Sequence, residues 1–223
     1  MKKILNVNVT DIVPFSKGLI FVKRDTLPDG TNKVSFFSYD TQTGEITTVT
    51  KSVYLLNKFG MAYEQITAKL GDFISCETAK LPNHHTIIIY PTGEMGLFDD
   101  KGRILKTGDL YYNNAPARDA AFDGNSIWCA VPQKNAVIRY SISAQKIVMR
   151  IGGDNNTAFN VPISVSAYDN SVYVCNQASC EIRKIDIDTL NVVDYLEFQE
   201  PVNKYFRFKD KEIVVLNSGI YEL

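Results

Sequence analysis

The sequence predicts an all-β fold: a five-bladed β-propeller of four-stranded antiparallel blades, its ring closed by the N-terminal strand. Three observations predict it. First, YYNNAPARDAAFDGNSIWCAVPQKNAVIRYSI is followed, at a period of about 45 residues, by a near copy in DNNTAFNVPISVSAYDNSVYVCNQASCEIRKIDI. Second, each copy reads as four short strands rich in β-branched and aromatic residues, separated by turn signals such as Asp-Gly-Asn and Pro-Gln-Lys-Asn. Third, five such units account for the chain without a long structureless loop. One four-stranded sheet cannot bury both faces alone, whereas a ring of sheets can.

In chain order, the first blade spans about residues 10–51, with VPFSKGLIFVKR, KVSFFSYDT and GEITTVT as its strands. The second spans about 52–108. It begins at ITAKLGDFISCET and continues through HTIIIYPT and EMGLFDDKGRILKTG. It is longer than the others, so an extra hairpin or loop is expected there. In FGMAYEQITAKLG, Phe59, Tyr63, Ile66 and Leu70 stand at helical spacing, but the repeat makes the later part an inner strand, and strand is favoured. The third and fourth blades span about 115–153 and 160–198. Aligning Pro116 with Pro162 puts Arg118 on Ser164 and Asp123 on Asp169; omitting Gly124 then puts Trp128 on Tyr173. The fifth, about 201–223, has room for three strands, and KKILNVN near the start of the chain supplies the fourth beside GIYEL. One propeller domain over residues 1–223 is the expected organisation.

Composition narrows the function classes. The chain has 223 residues and a formal net charge of −1, with 24 basic and 25 acidic residues, so no general attraction to nucleic acid or an anionic membrane is implied. No apolar run has the length of a membrane span, and Asn6 and Asn8 interrupt what would be a signal-peptide core. A cytoplasmic protein is expected. Four cysteines are too few for a disulfide framework, and Cys175 and Cys180, flanking Asn-Gln-Ala-Ser, are expected as reduced thiols. KYFRFKDKE mixes basic and aromatic residues, but strand alternation separates Tyr205, Arg207 and Lys209 from Phe206 and Phe208, as a blade strand requires. His84 and His85 are adjacent and no Cys or His pair has zinc spacing, so no metal site is predicted. No nucleotide cradle, nucleophile elbow or other cofactor motif is present, and no cofactor is expected.

Phe159, Asn160, Pro162, Asp169, Asn170, Tyr173, Val174, Ile182 and Asp186 fit the outline of the NHL-type repeat, and residues 103–198 resemble that family. Asp40-Thr41 and Asp188-Thr189 also resemble the related YVTN-type repeat. The resemblance implies a propeller. It implies no particular activity, because relatives include protein- and RNA-binding modules, sensor domains, lyases and lactone hydrolases. Two departures stand out: NHL propellers usually have six blades, and the acidic residue after the Tyr-Val strand is Cys175 here.

In such a ring, the connectors into the inner strands build the channel mouth. Each connector contains Asn (Asn8, Asn57, Asn114, Asn160, Asn203), and charged residues sit close by. Asp11, Glu64, Asn114, Arg118, Asp119, Asn160 and Lys204 are the candidate ligand-binding residues. Amides beside aromatic faces suit polar ligands, although Asn also favours turns by bonding its own backbone. The charges alternatively pin adjacent blades. The expected function is a non-catalytic module that binds a small polar ligand or a protein partner, with no catalytic residue assigned. The alternative is a hydrolase or lyase acting on a small polar or sugar-like substrate, with Asp11, Glu64 or Asp119 working beside Arg118. A third reading is a homo-oligomer formed through one flat face.

Overall fold

A computed structural model describes residues 1–6, 9–61, 70–153, 155 and 157–223. Five four-stranded antiparallel sheets follow one another around a central channel. The first blade comprises β2 (Asp11–Phe15), β3 (Gly18–Thr26), β4 (Asn32–Asp40) and β5 (Ile46–Thr48). The second comprises β6 (Glu77–Lys80), β7 (Thr86–Ile89), β8 (Glu94–Phe98) and β9 (Ile104–Asp109). After a short hairpin, β10 (Tyr111–Tyr112) and β11 (Ala115–Pro116), the third comprises β12 (Asp119–Phe122), β13 (Ile127–Val131), β14 (Ala136–Ser141) and β15 (Lys146–Gly152). The fourth comprises β16 (Pro162–Tyr168), β17 (Ser171–Asn176), β18 (Glu181–Asp186) and β19 (Val192–Glu197). The fifth comprises β20 (Val202–Phe208), β21 (Lys211–Leu216), β22 (Gly219–Glu222) and, as its outer strand, β1 (Lys2–Leu5). The N-terminal strand therefore closes the ring, pairing Lys2 with Glu222 and Lys3 with Tyr221.

Local chemistry sets the hairpins. Asn113-Asn114 and Asp169-Asn170 take left-handed conformations at both central positions, which two-residue turns matched to strand twist require. Second strands such as IWCAV are buried at every residue, because both faces of a blade pack on neighbours. Leu19, Ile213 and Ile220 join blades five and one; Trp128, Val137 and Val174 join three and four; Tyr173, Tyr205 and Val214 join four and five. On β20, Tyr205 therefore faces one neighbour while Phe206 and Phe208 face the other, so this strand packs against both adjacent blades.

The interface between blades one and two is built differently. Helix α1 (Lys51–Phe59) enters it between their sheets. Thr50 caps its start by accepting from the Val53 N–H at 3.4 Å, and Gly60 ends it in a left-handed conformation. Tyr54, Leu55 and Phe59 form its buried stripe, packed with Val13, Ile20 and Val22 of the first blade and Ile88 and Phe98 of the second. The sequence reading of this region is corrected here. Phe59 is helical, and the inner strand of the second blade is Glu77–Lys80 instead of ITAKLG. Residues 62–69 lie outside the described residues. Tyr63 and Ile66 of the helically spaced set lie among these, and α1 itself ends at Phe59 with its apolar stripe buried between two sheets.

A second correction concerns the repeat register. Ser164 pairs with Cys175, and Asp119 pairs with Ala130. With Trp128 on Tyr173, this makes Asp119, not Arg118, the counterpart of Ser164. The pairing of β16 shifts between Pro162 and Ser164, so the extra residue lies at a bulge there and no deletion at Gly124 is needed.

Candidate functional site

Asp11, Glu77, Asp119, Ser164 and Lys204 stand near the starts of the five innermost strands, one per blade. All five line one vestibule of about 100 Å³. Beyond it the channel opens to about 410 Å³, between walls that include Ile12, Val13, Phe122, Ser166, Tyr168 and Phe206. Glu77, Asp119 and Lys204 border both spaces. The polar ring is a constriction between a small polar mouth and a larger, mainly apolar chamber.

The three carboxylates of this ring are not equivalent. Asp11 accepts from the Ile12 N–H at 2.8 Å through Oδ1. Its Oδ2 accepts from Lys58 Nζ at 2.7 Å and from the Tyr54 hydroxyl, both on α1. Lys58 also donates to the Ile74 carbonyl at 2.9 Å. Burial alone would raise the Asp11 pKa, but Lys58 and Lys204 outweigh it and hold the carboxyl below its ordinary value.

Asp119 repeats the pattern toward the next blade. Its Oδ1 accepts from the Ala120 N–H at 2.9 Å, and its Oδ2 from Ser164 Oγ at 2.6 Å and the Val165 N–H at 2.9 Å. Asp11 thus ties blade one to the inserted helix, and Asp119 ties blade three to blade four.

Glu77 is left facing the lumen with Lys204, which reaches it from the fifth blade at 3.1 Å. About a quarter of each side chain is exposed, 26% for Lys204 and 25% for Glu77. Both side chains line the channel, and both carry interior desolvation. Burial raises the Glu77 pKa, and Asp119 and Asp11 add to the rise; Lys204 and Lys58 offset it only in part, leaving the carboxyl at about 7. For Lys204, burial pulls the other way, and Glu77, Asp119 and Asp11 overcome it to raise the ammonium above its ordinary value.

The structure brings Asp11, Asp119 and Lys204 together at the ring. Glu64 and Asn8 lie outside the described residues. Arg118 is exposed, one residue ahead of Asp119, and borders neither space. Asn114 is an exposed turn residue of the β10–β11 hairpin, with φ 62. Asn160 is exposed as well, its N–H donating to Asn176 Oδ1 at 3.1 Å. The described connector asparagines do not form a ring. Asn203 borders the vestibule, whereas Asn57 is a helical residue at the chamber, donating to the Val53 carbonyl at 2.8 Å. Glu77, Lys58, Tyr54, Ser164 and Ser166 escaped the sequence reading. A signal existed: a polar residue heading each inner strand, in DIV, ETA, DAA, SVS and KYF. Misplacing the second blade's inner strand hid Glu77 from it.

Among the described residues there is no cluster of three or more metal-ligating side chains, and no helix long and apolar enough to cross a membrane. All four cysteines are free thiols. Cys175 faces Ile182, so the turn does not place Cys180 opposite it.

No protein-family model matches the chain, and no curated protein matches it. Solved structures do. The WD40 repeats of RRP9 are similar at a TM-score of 0.54 and 8% identity, over 94% of this chain and 58% of that one. A computationally designed protein, Ika8, is similar at a TM-score of 0.51 and 16% identity, over 96% of this chain and 58% of that one. Glutaminyl cyclase from Myxococcus xanthus is similar at a TM-score of 0.51 and 9% identity, over 67% of this chain and 65% of that one. This chain therefore spans less than two thirds of each of these structures. At such identities the likeness establishes the fold class, a β-propeller, and nothing finer.

Proposed function

We propose that this protein is a non-catalytic binding propeller of the NHL/YVTN repeat kind, whose ligand is a small polar molecule held at the channel constriction. One observation carries the reading. Of the ring's charges, Asp11 and Asp119 each accept three hydrogen bonds that hold the ring together, while the Lys204–Glu77 pair faces open space at the mouth of a chamber of about 410 Å³. Chambers of this size with apolar walls and a few convergent polar groups suit small ligands. Acid–base chemistry by paired carboxylates would need a second group free to exchange protons. The four free thiols accord with a cytoplasmic setting.

The test is a thermal-shift panel of sugars, nucleotides, amines, carboxylates and lactones. A ligand at 100 times its dissociation constant adds about 2.7 kcal/mol of stability. The expected result is at least one compound that raises Tm for the native protein and not for Lys204→Met. A panel without any hit would overturn the small-ligand reading and turn the search to protein partners.

One observation favours a hydrolase or lyase as a second reading. A carboxyl group with a pKa of about 7 is suited to general acid work near neutrality. That reading requires turnover of a lactone or glycoside that Glu77→Gln abolishes.

A further inference from the structure

We infer that the channel takes a ligand bearing an alkylammonium head on an apolar body, with the head seated between Glu77 and Asp119 and within reach of Ser166. The inference rests on the channel being a ligand site, and it names the ligand's chemistry.

Charge is the first argument. Lys58 is matched to Asp11, with both side chains nearly sealed. That leaves two carboxylates, Glu77 and Asp119, and one ammonium, Lys204, where the vestibule meets the chamber. With Glu77 ionised, the constriction itself carries one surplus negative charge in a poorly solvated place, where an added cation is worth far more than in water, while Lys80 lines the chamber beyond it. Burial is what holds the proton on Glu77; Asp119 and Asp11 add to the rise, while Lys204 and Lys58 oppose it. A ligand ammonium would take that proton's place.

Ser166 is an independent argument. It lies two residues beyond Ser164 on β16, is only 7% exposed and borders the chamber. Its hydroxyl is buried and has no hydrogen-bond partner. Buried hydroxyls are nearly always satisfied, so an orphan in a chamber wall points to a group that arrives with the ligand. An ammonium has three donors, which Glu77, Asp119 and the Ser166 oxygen can share.

The chamber walls supply the rest. Ile12, Val13, Phe122, Tyr168 and Phe206 would cover an alkyl or aromatic body. The alternatives fit less well. A carboxylate would compete with Glu77 for Lys204 while lying near Asp119, and a neutral polyol would leave the surplus charge unanswered.

The experiment is isothermal titration of the full chain with hexylammonium, hexanol and hexanoate at pH 7.5. Hexylammonium should bind tightest. Glu77→Gln should weaken it about tenfold or more, and Ser166→Ala should weaken it a few-fold without lowering Tm. The native affinity should also rise between pH 6 and pH 8 as Glu77, faced by Lys204, Asp119, Lys58 and Asp11, gives up its proton. Hexanol or hexanoate binding as well as hexylammonium, an amine affinity unmoved by both substitutions, or no amine binding at millimolar concentration would each overturn the inference. Should Glu77→Gln fail to fold, Ser166→Ala and the pH dependence still decide. A calcium or magnesium titration that occupies Glu77 and shuts out hexylammonium would replace the amine with a metal ion. If only sugars or carboxylates bind, and lose affinity in Lys204→Met, the binding-module reading stands and the amine falls.

Discussion

Lys58 of helix α1 donates to Asp11 of the innermost strand of blade one at 2.7 Å, with 1% and 4% of the two side chains exposed. This ion pair, with the Tyr54 hydroxyl on the same carboxylate oxygen, fastens the helix between blades one and two. Removing one partner of a buried pair leaves an uncompensated charge, which costs about 3–5 kcal/mol. Asp11→Leu and Lys58→Met should each destabilise by about that much. The double substitution should cost well under the sum, since neither charge is then left alone. Urea unfolding of the four proteins completes the cycle, and additive losses would show that the two groups act independently.

Glu77 gives the stability a particular pH dependence. Its pKa is about 7 in the folded protein, against an ordinary 4.5. Between these values the folded state binds a proton that the unfolded state has released, so this group's contribution is full below 4.5 and is lost as pH rises through 7. Asp11 has the opposite sign. Its folded pKa lies below 3.8, so its contribution is present above 3.8 and lost as pH falls through the folded value. Melting temperatures from pH 3 to 8 should therefore show an acid limb that Asp11→Asn reduces. Glu77→Gln should remove a decline between pH 5 and 7. An unchanged profile in Glu77→Gln would refute the assignment.

Asp119 accepts three hydrogen bonds, two of which, from Ser164 and Val165, link blades three and four. Asp119→Ala leaves the Ser164 hydroxyl and the Val165 and Ala120 amides without that acceptor, at a cost of about 1–3 kcal/mol for each group that stays unsatisfied. Ser164→Ala removes one donor and leaves the carboxylate two others, so about 1 kcal/mol is expected. Chemical denaturation should rank the two accordingly; equal losses would place the strength of the joint in the hydroxyl.

Ring closure depends on Gly219. It has φ 146, and a Cβ there would lie 2.1 Å from the Leu5 carbonyl oxygen of β1. Gly219→Ala must strain the residue or push the closing strand away, at a cost of at least about 1 kcal/mol. Deleting residues 1–6 should do more, exposing the edge of β22 and promoting self-association. Size-exclusion chromatography and Tm measure both effects, and a deletion that stays monomeric with unchanged Tm would show that β1 is dispensable.

Trp128 reports on all of these variants. It is the sole tryptophan, fully buried, and donates from Nε1 to Asp123 Oδ2 at 2.7 Å. Asp123, read from the sequence as part of a repeat motif, also accepts from the Asn125 and Ser126 amides and pairs with Arg139. Its role is to join a turn to the core. Asp123→Ala should destabilise by about 2 kcal/mol and shift the native fluorescence of Trp128, the latter reading the lost indole contact directly.

The number of blades, the four-stranded antiparallel sheets and closure by the N-terminal strand were legible in the sequence. They follow from local chemistry: strand-forming runs of five to nine residues in β2, β3 and β4, positive-φ turns at Asn113-Asn114 and Asp169-Asn170, and a period that returns every blade's pattern. Asp11, Asp119 and Lys204 were also legible as channel residues, because each sits where an inner strand begins. What only the tertiary structure decided is which of these charges is spoken for. Lys58 meets Asp11 across 47 residues of chain, and Lys204 meets Glu77 across 127. Such pairs exist only once the ring has closed, and their distances depend on a helix wedged between two sheets and a single-residue bulge at Ile163. Periodicity can say that a polar residue heads each inner strand. Closure alone sets which ones neutralise one another and leaves Glu77 facing the open channel.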